Sequence, residues 1–247
     1  METEFQDRLA VVTGASSGIG LALCAALLAR GARVLTMSRS LGGLSALQKS
    51  YPDHLVWLAG DVTSKQDLAC LSQRAAQLGQ VDYLVPSAGI AELAASFDLT
   101  AFDRQWAVNG AGALNTLAAL RNVLAASSSV VFISSFLTCS SFPGLATYIA
   151  SKAALSAHAR CLAGEFASLG IRINLVSPGP TATAIWDTLG FSDAELDVVT
   201  ERITQRLLPG HFLDATAVAN VILFQLSAGA RGVFGHDWVV DNGYGLS

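Results

Sequence analysis

The 247-residue chain reads as a single α/β domain, a doubly wound parallel sheet of about seven strands with helices on both faces. Three observations lead there. Short apolar, β-branched runs alternate with helix-forming runs from one end to the other, as strands buried on both faces require. A glycine cluster stands between the first strand-like run and the first helix former. No composition break, internal repeat or linker divides the chain, so residues 1–247 form one unit.

The elements follow in order. Leu9–Thr13 is a short apolar strand, and Leu21–Arg30, closed by Gly31, a strong helix former. Arg33–Ser38 is the second strand, and a helix through Leu44–Leu47 leads to His54–Leu58 and the turn Gly60-Asp61-Val62. Lys65–Leu78 is amphipathic and ends at Gly79. Asp82–Val85 is a fourth strand, closed by Pro86-Ser87-Ala88-Gly89. Because proline donates no ladder hydrogen bond, Val85 is expected to be its last paired residue. A long helical stretch over Ala101–Ala125 precedes the apolar run Val130–Ile133, whose strand is expected to end at Ser135. A helix from about Thr147 to Ala167, the strand Ile171–Val176, an interrupted helical segment over 184–208, a helix over Thr216–Leu226 and a last strand at Trp238–Val240 complete the series.

Composition narrows the function. Only 14% of residues are charged and 52% are apolar, against about 25% charged in ordinary soluble domains. That predicts extensive burial, in the core or between subunits. The net charge of −4 argues against a nucleic-acid partner, which would need a basic stripe. Cys24, Cys70, Cys139 and Cys161 are scattered, with no Cys-x-x-Cys and no histidine at ligand spacing. They read as small core residues in a reducing, cytoplasmic setting, with neither disulfides nor a metal. The acidic start Met-Glu-Thr-Glu does not read as a signal peptide. Asn122–Ser151 carries no charge, but serines and Pro143-Gly144 break it into strand, loop and helix start, so no membrane span is expected.

Two constellations carry chemistry. In the first, Gly14, Gly18 and Gly20 lie between strand and helix, where a pyrophosphate meets a helix N-terminus. Glycine there permits close approach of a ligand, and Ser16 and Ser17 offer hydroxyls. About twenty residues on, an enzyme specific for NAD presents an acid to the ribose. This chain has Ser38 followed by Arg39, which suits the 2′-phosphate of NADP(H). In the second, Tyr148 and Lys152 stand one helical turn apart on one face, about 6 Å along the axis. Tyrosine, with a pKa of about 10, is a poor acid or base at neutral pH. An ammonium nearby is expected to lower it. Ser135, delivered from a strand end, would hold the reacting oxygen.

With both constellations in view, the chain resembles the short-chain dehydrogenase/reductase superfamily, from about Arg8 to Gly243. Thr13-Gly-Ala-Ser-Ser-Gly-Ile-Gly20 is similar to its cofactor loop, including Ile19. Asp61 and Val62 match the pair that flanks adenine, and Asn109 the helix asparagine of a catalytic tetrad completed by Ser135, Tyr148 and Lys152. Pro178, Gly179 and Thr181 or Thr183 match the segment against the nicotinamide and its phosphate. Ser87, Ala88 and Gly89 stand beside the cofactor ribose, although the family usually has Asn-Asn where this chain has Pro86-Ser87.

The resemblance implies a Rossmann fold and a metal-free hydride transfer, with Tyr148 exchanging the proton and Lys152 holding the nicotinamide ribose. It also implies that Ser135 binds the substrate oxygen and that Asn109 supports a proton-relaying water chain. Substrate choice is expected in the segment 184–212. Ile185, Trp186, Leu189, Phe191, Leu207, Leu208 and Phe212 would supply an apolar pocket there, faced by Phe136 and Phe142. The leading reading is an NADPH-dependent reductase of a small apolar or cyclic ketone. An NAD-dependent alcohol dehydrogenase, a 3-oxoacyl-carrier-protein reductase and a cofactor-binding regulator stay open. His158, His211 and Glu92 are not expected to take part. The alanine-rich, charge-poor helix over Tyr148–Ala167 suggests pairing across subunits, and a homotetramer or homodimer is expected.

Overall fold

The computed structural model describes residues 4–246; Met1–Thr3, within the acidic start, and Ser247 lie outside the described residues. The strands are β1 (Leu9–Thr13), β2 (Arg33–Ser38), β3 (Leu55–Ala59), β4 (Val81–Pro86), β5 (Leu124–Ile133), β6 (Arg172–Pro178) and β7 (Asp237–Val240). They form one parallel sheet in the order β3-β2-β1-β4-β5-β6-β7. The helices are α1 (Gly18–Leu28), α2 (Leu44–Ser50), α3 (Lys65–Leu78), α4 (Leu99–Trp106), α5 (Ala113–Leu120), α6 (Ala146–Ala167), α7 (Asp193–Thr204) and α8 (Ala215–Leu226).

Alternation along each strand sorts the core into two layers. Ala10 and Val12 of β1 join Val34, Val85, Val131 and Val176 under α1 and α8. Leu9 and Val11 join Leu35, Leu84, Val130 and Phe132 under α3, α5 and α6. This is why the strand sequences are continuously apolar. The order reverses between β1 and β4, and the crevice at the carboxyl ends of these two strands is where an open α/β sheet binds its ligand.

Several expectations change in detail. Pro86 belongs to β4, in register with Thr13. The β5 side of the ladder stops at Leu84–Val130, so the missing proline N–H costs no sheet bond. Thr13 Oγ1 is buried beside it without a partner among the described residues. The long helical stretch divides into α4, a π-helical turn over Ala107–Gly112, α5 and a short 3₁₀ turn. Ala125 and the serines that follow it belong to β5, where Ser129 Oγ donates to Gln225 O at 3.2 Å. The strand stops at Ile133, and Ser135 instead caps the 3₁₀ turn Phe136–Cys139. Of the four cysteines only Cys24 is a core residue; Cys70, Cys139 and Cys161 are exposed. No described helix is long and apolar enough to cross a membrane.

Candidate active site

A cavity of about 430 Å³ runs along the carboxyl ends of the strands, from the β1–α1 loop to the segment after β6. Its floor begins with backbone geometry that glycine alone accepts easily. Gly14 and Gly18 have φ of +69° and +56°. A Cβ on Gly14 would stand 2.4 Å from Ala88 Cα, and one on Gly20 would stand 2.6 Å from Gly14 O. The loop is therefore drawn tightly against β4, and α1 starts directly at the cavity. Ser17 caps α1 without a side-chain hydrogen bond, and the first turn carries no acid. The positive end of the helix and its unpaired N–H groups thus face the cavity, the arrangement a pyrophosphate requires. The residues fit a dinucleotide.

At the far end of this half, Ser38 is already committed. Its hydroxyl donates to Ser40 O at 2.7 Å and accepts from Trp57 Nε1 at 3.0 Å. Arg39 beside it is exposed on the cavity rim. Asp61 Oδ1 accepts from Thr63 N and Oγ1, both at 2.8 Å, which fixes the turn that sets Val62 into the cavity wall. Thr181 Oγ1 is tied to Gly179 O at 2.9 Å, while the Thr183 methyl lies 3.1 Å from where a Gly18 Cβ would be. The loop after β6 thus closes over the start of α1.

Tyr148 and Lys152 share one face of α6 and both are buried. Lys152 Nζ donates to Ile133 O at 2.8 Å, the last carbonyl of β5. With no carboxylate beside it, burial pulls its pKa down to about 8. The expected lowering of Tyr148 by Lys152 is not seen. Burial holds the Tyr148 pKa above its ordinary value, opposed by a hydrogen bond from the Ser135 hydroxyl. Desolvation wins because the ammonium is directed at the strand carbonyl and the phenol at Ser135. Ser135 Oγ also accepts from Leu137 N at 3.3 Å, which fixes its orientation.

Asn109 stands behind this group, 1% exposed and outside the cavity wall. It clamps the turn after β4: Ile90 N donates to its Oδ1 at 2.8 Å, and its Nδ2 donates to Ile90 O at 2.9 Å and Ser151 Oγ at 3.1 Å. A Cβ on Gly89 would lie 3.4 Å from Asn109 Oδ1 and 3.7 Å from Lys152 Nζ, so bare backbone separates the two side chains.

Gly14, Ser16, Ser17, Gly18, Ile19, Gly20, Ser38, Arg39, Asp61, Val62, Ser87, Ala88, Gly89, Ser135, Tyr148, Lys152, Pro178, Gly179, Thr181 and Thr183 all border this one cavity, as do Phe136, Phe142, Ile185 and Trp186. Leu189 and Phe191 also border it, whereas Leu208 points outward and Leu207 and Phe212 pack behind Tyr244 and Trp186. His158, His211 and Glu92 do not border it; Glu92 pairs with Arg104 at 2.7 Å.

Three contributors escape sequence reasoning. Ser151, one turn before Leu155, reaches Asn109. Trp57 on β3 holds Ser38. Tyr244, in the C-terminal 3₁₀ turn, packs edge-on against Phe136 with ring centroids 5.0 Å apart and forms a wall at the apolar end of the cavity. Only a long-range contact places each of them.

Fold and site together define an NAD(P)-dependent oxidoreductase of the Rossmann type. A family profile described as enoyl-(acyl carrier protein) reductase matches residues 14–245, and the chain belongs to the short-chain dehydrogenase/reductase superfamily. It is 34% identical over 252 residues to cis-4-hydroxycyclohexanecarboxylate dehydrogenase of Sinomonas cyclohexanicum, covering 99% of each chain. It is 30% identical over 253 residues to carbonyl reductase [NADPH] 2 of Sus scrofa, again covering 99% of each. The solved structure of levodione reductase superposes with a TM-score of 0.91 at 25% identity, over 98% of this chain and 99% of that one.

Proposed function

We propose that this protein reduces the carbonyl of a small apolar or cyclic compound to an alcohol, with NADPH as hydride donor. The observation that carries the reading is the buried Tyr148 side chain, which lines one cavity with Ser135 and Lys152 at the junction of a dinucleotide cradle and an apolar chamber. A phenol whose pKa is raised by burial is protonated at neutral pH and serves as the acid of a reduction. In this reading Asn109, Ser135, Tyr148 and Lys152 are the catalytic group. Ser135 hydrogen-bonds the substrate oxygen, and Tyr148 delivers the proton. Lys152 holds the ribose beside the reacting carbon, and Asn109, through Ile90 and Ser151, supports a proton path behind Lys152. The cofactor supplies the hydride.

Phe136, Phe142, Ile185 and Trp186, with the segment 184–212, form the substrate end. Trp186 is held there by its Nε1 bond to Thr181 O at 2.8 Å. The name of the cis-4-hydroxycyclohexanecarboxylate dehydrogenase supports an alicyclic alcohol or ketone as the substrate class, and that of carbonyl reductase [NADPH] 2 supports carbonyl reduction with NADPH. The NADP(H) assignment rests on Arg39. Because the Ser38 hydroxyl is spent within the protein, the guanidinium is the group left to meet a 2′-phosphate. We also propose a homotetramer in a reducing, cytoplasmic setting.

The test is consumption of NADPH, against NADH, in the presence of cyclohexanones and other alicyclic ketones. Wild-type protein should turn over at least one such ketone with NADPH, and Tyr148→Phe should reduce kcat by about a hundred- to ten-thousand-fold. Unimpaired turnover by Tyr148→Phe would overturn the mechanism, and tighter binding of NADH would overturn the cofactor assignment.

A further inference from the structure

We propose that the substrate end includes a second chamber built to hold a carboxylate remote from the reacting carbonyl, with Arg202 as its ligand. The proposal rests on the site reading above and names the substrate's other end. The apolar chamber beside Tyr148 adjoins a second cavity of about 820 Å³, with which it shares Phe142, Phe191, Ile203 and Tyr244. Val199, Arg202, Ile203 and Arg206 recur at the spacing of one helical face, and this face of α7 and the turn after it forms the cavity's outer wall. The acids Asp197 and Glu201 fall on the opposite face. No carboxylate borders this second cavity among the described residues.

The two arginines have different duties. The Arg206 guanidinium lies 3.9 Å over the Tyr244 ring and donates from Nη1 to the Tyr244 hydroxyl at 2.9 Å, bracing the wall between the chambers. Arg202 has no ion pair or hydrogen bond among the described residues, and its guanidinium is free to meet a ligand. Its place in the last turn of α7 suits the helix dipole, which accounts for a cation there but not for the apolar cavity it borders. An apolar path ending at a planar fork of donors selects a compound with an apolar middle and a terminal carboxylate.

The experiment compares a cyclohexanone bearing a carboxylate, directly on the ring or at the end of an ethylene arm, with the matching carboxamides. It uses full-length protein and NADPH. At least one acid should exceed its amide about tenfold in kcat/KM, mainly through KM. Arg202→Gln should bring that ratio close to one, and Arg202→Lys should restore part of it. Binding of cyclohexanecarboxylate and its carboxamide, followed by tryptophan fluorescence, gives a readout independent of turnover. If acid and amide turn over equally, in wild type and in Arg202→Gln alike, the chamber is not a carboxylate site and the reductase reading stands. If neither ketone reacts but the acid binds in an Arg202-dependent way, the carboxylate site stands and the activity reading falls. If the acid shows neither preferential binding nor preferential turnover, the proposal is overturned.

Discussion

Burying an ammonium costs more than one backbone carbonyl returns, and Lys152 lives with that deficit. Its side chain is 4% exposed, its Nζ meets Ile133 O, and desolvation takes its pKa from 10.5 to about 8. The sign of the consequence is fixed. Between those two values the unfolded chain binds more protons than the folded one, so stability rises with pH. The penalty is fully present below pH 8 and has vanished by pH 10.5, and its size is on the order of 3 kcal/mol. Denaturant unfolding of the protein without cofactor should therefore show a gain from pH 8 to pH 10 that Lys152→Met lacks. The difference between the two proteins isolates Lys152 from Tyr148, whose raised pKa acts with the opposite sign at still higher pH. Parallel pH profiles would show that Lys152 is not buried as a charge. A residue retained at such a cost is one that the site needs.

The π-helical turn between α4 and α5 is the element that aims Asn109, and it depends on a glycine. Gly110 leaves room for the Trp106 ring; a Cβ there would stand 2.0 Å from it. Gly110→Ala should force the turn or the indole to move, costing about 1–3 kcal/mol and several degrees in Tm. Activity should fall further than the loss of folded protein explains, because the Asn109 clamp on Ile90 moves with the turn. Differential scanning fluorimetry beside initial rates separates the two effects, and an unchanged rate at full folding would place Asn109 outside the mechanism. Nothing in Trp106–Gly112 signals a π turn in the sequence, since its composition satisfies an α-helix as well. By contrast β1, β2 and α3 were legible to the residue, because a short apolar run marks a strand buried on both faces and an amphipathic period closed by Gly79 marks the helix. The glycine loop between β1 and α1, and Ser135, Tyr148 and Lys152 between β5 and α6, were legible through fixed spacing within each strand–helix unit. Trp57, Tyr244 and Ser151 were not, since their roles exist only once distant segments meet. The direction of the Tyr148 shift was missed for a related reason: spacing shows that Lys152 is near, but burial and the Ile133 carbonyl decide what its charge does.

At the scale of the whole molecule, the low charge content meets a surface with two uncovered apolar features. On α6, Ala154, Ala157, Cys161 and Gly164 are exposed along one face, and a Cβ on Gly164 would touch nothing within 4 Å. Small side chains in that pattern let a second helix approach closely. At the sheet edge, β7 presents Val239, 54% exposed, next to the stacked pair Phe224 and Trp238, whose ring centroids lie 5.2 Å apart. An unprotected edge strand with apolar neighbours is a template for another chain unless something covers it. Two separate faces, one helical and one at the sheet edge, suit two kinds of twofold contact and hence a closed tetramer. Light scattering should give about four times the 25.7 kDa chain mass. Ala157→Glu, at an exposed position that bears on no part of the cavity, should lower the mass to that of a dimer or monomer by burying an unpaired charge in the helical contact. A wild-type monomer would overturn the assembly, and a tetramer unaffected by Ala157→Glu would move the contact away from α6.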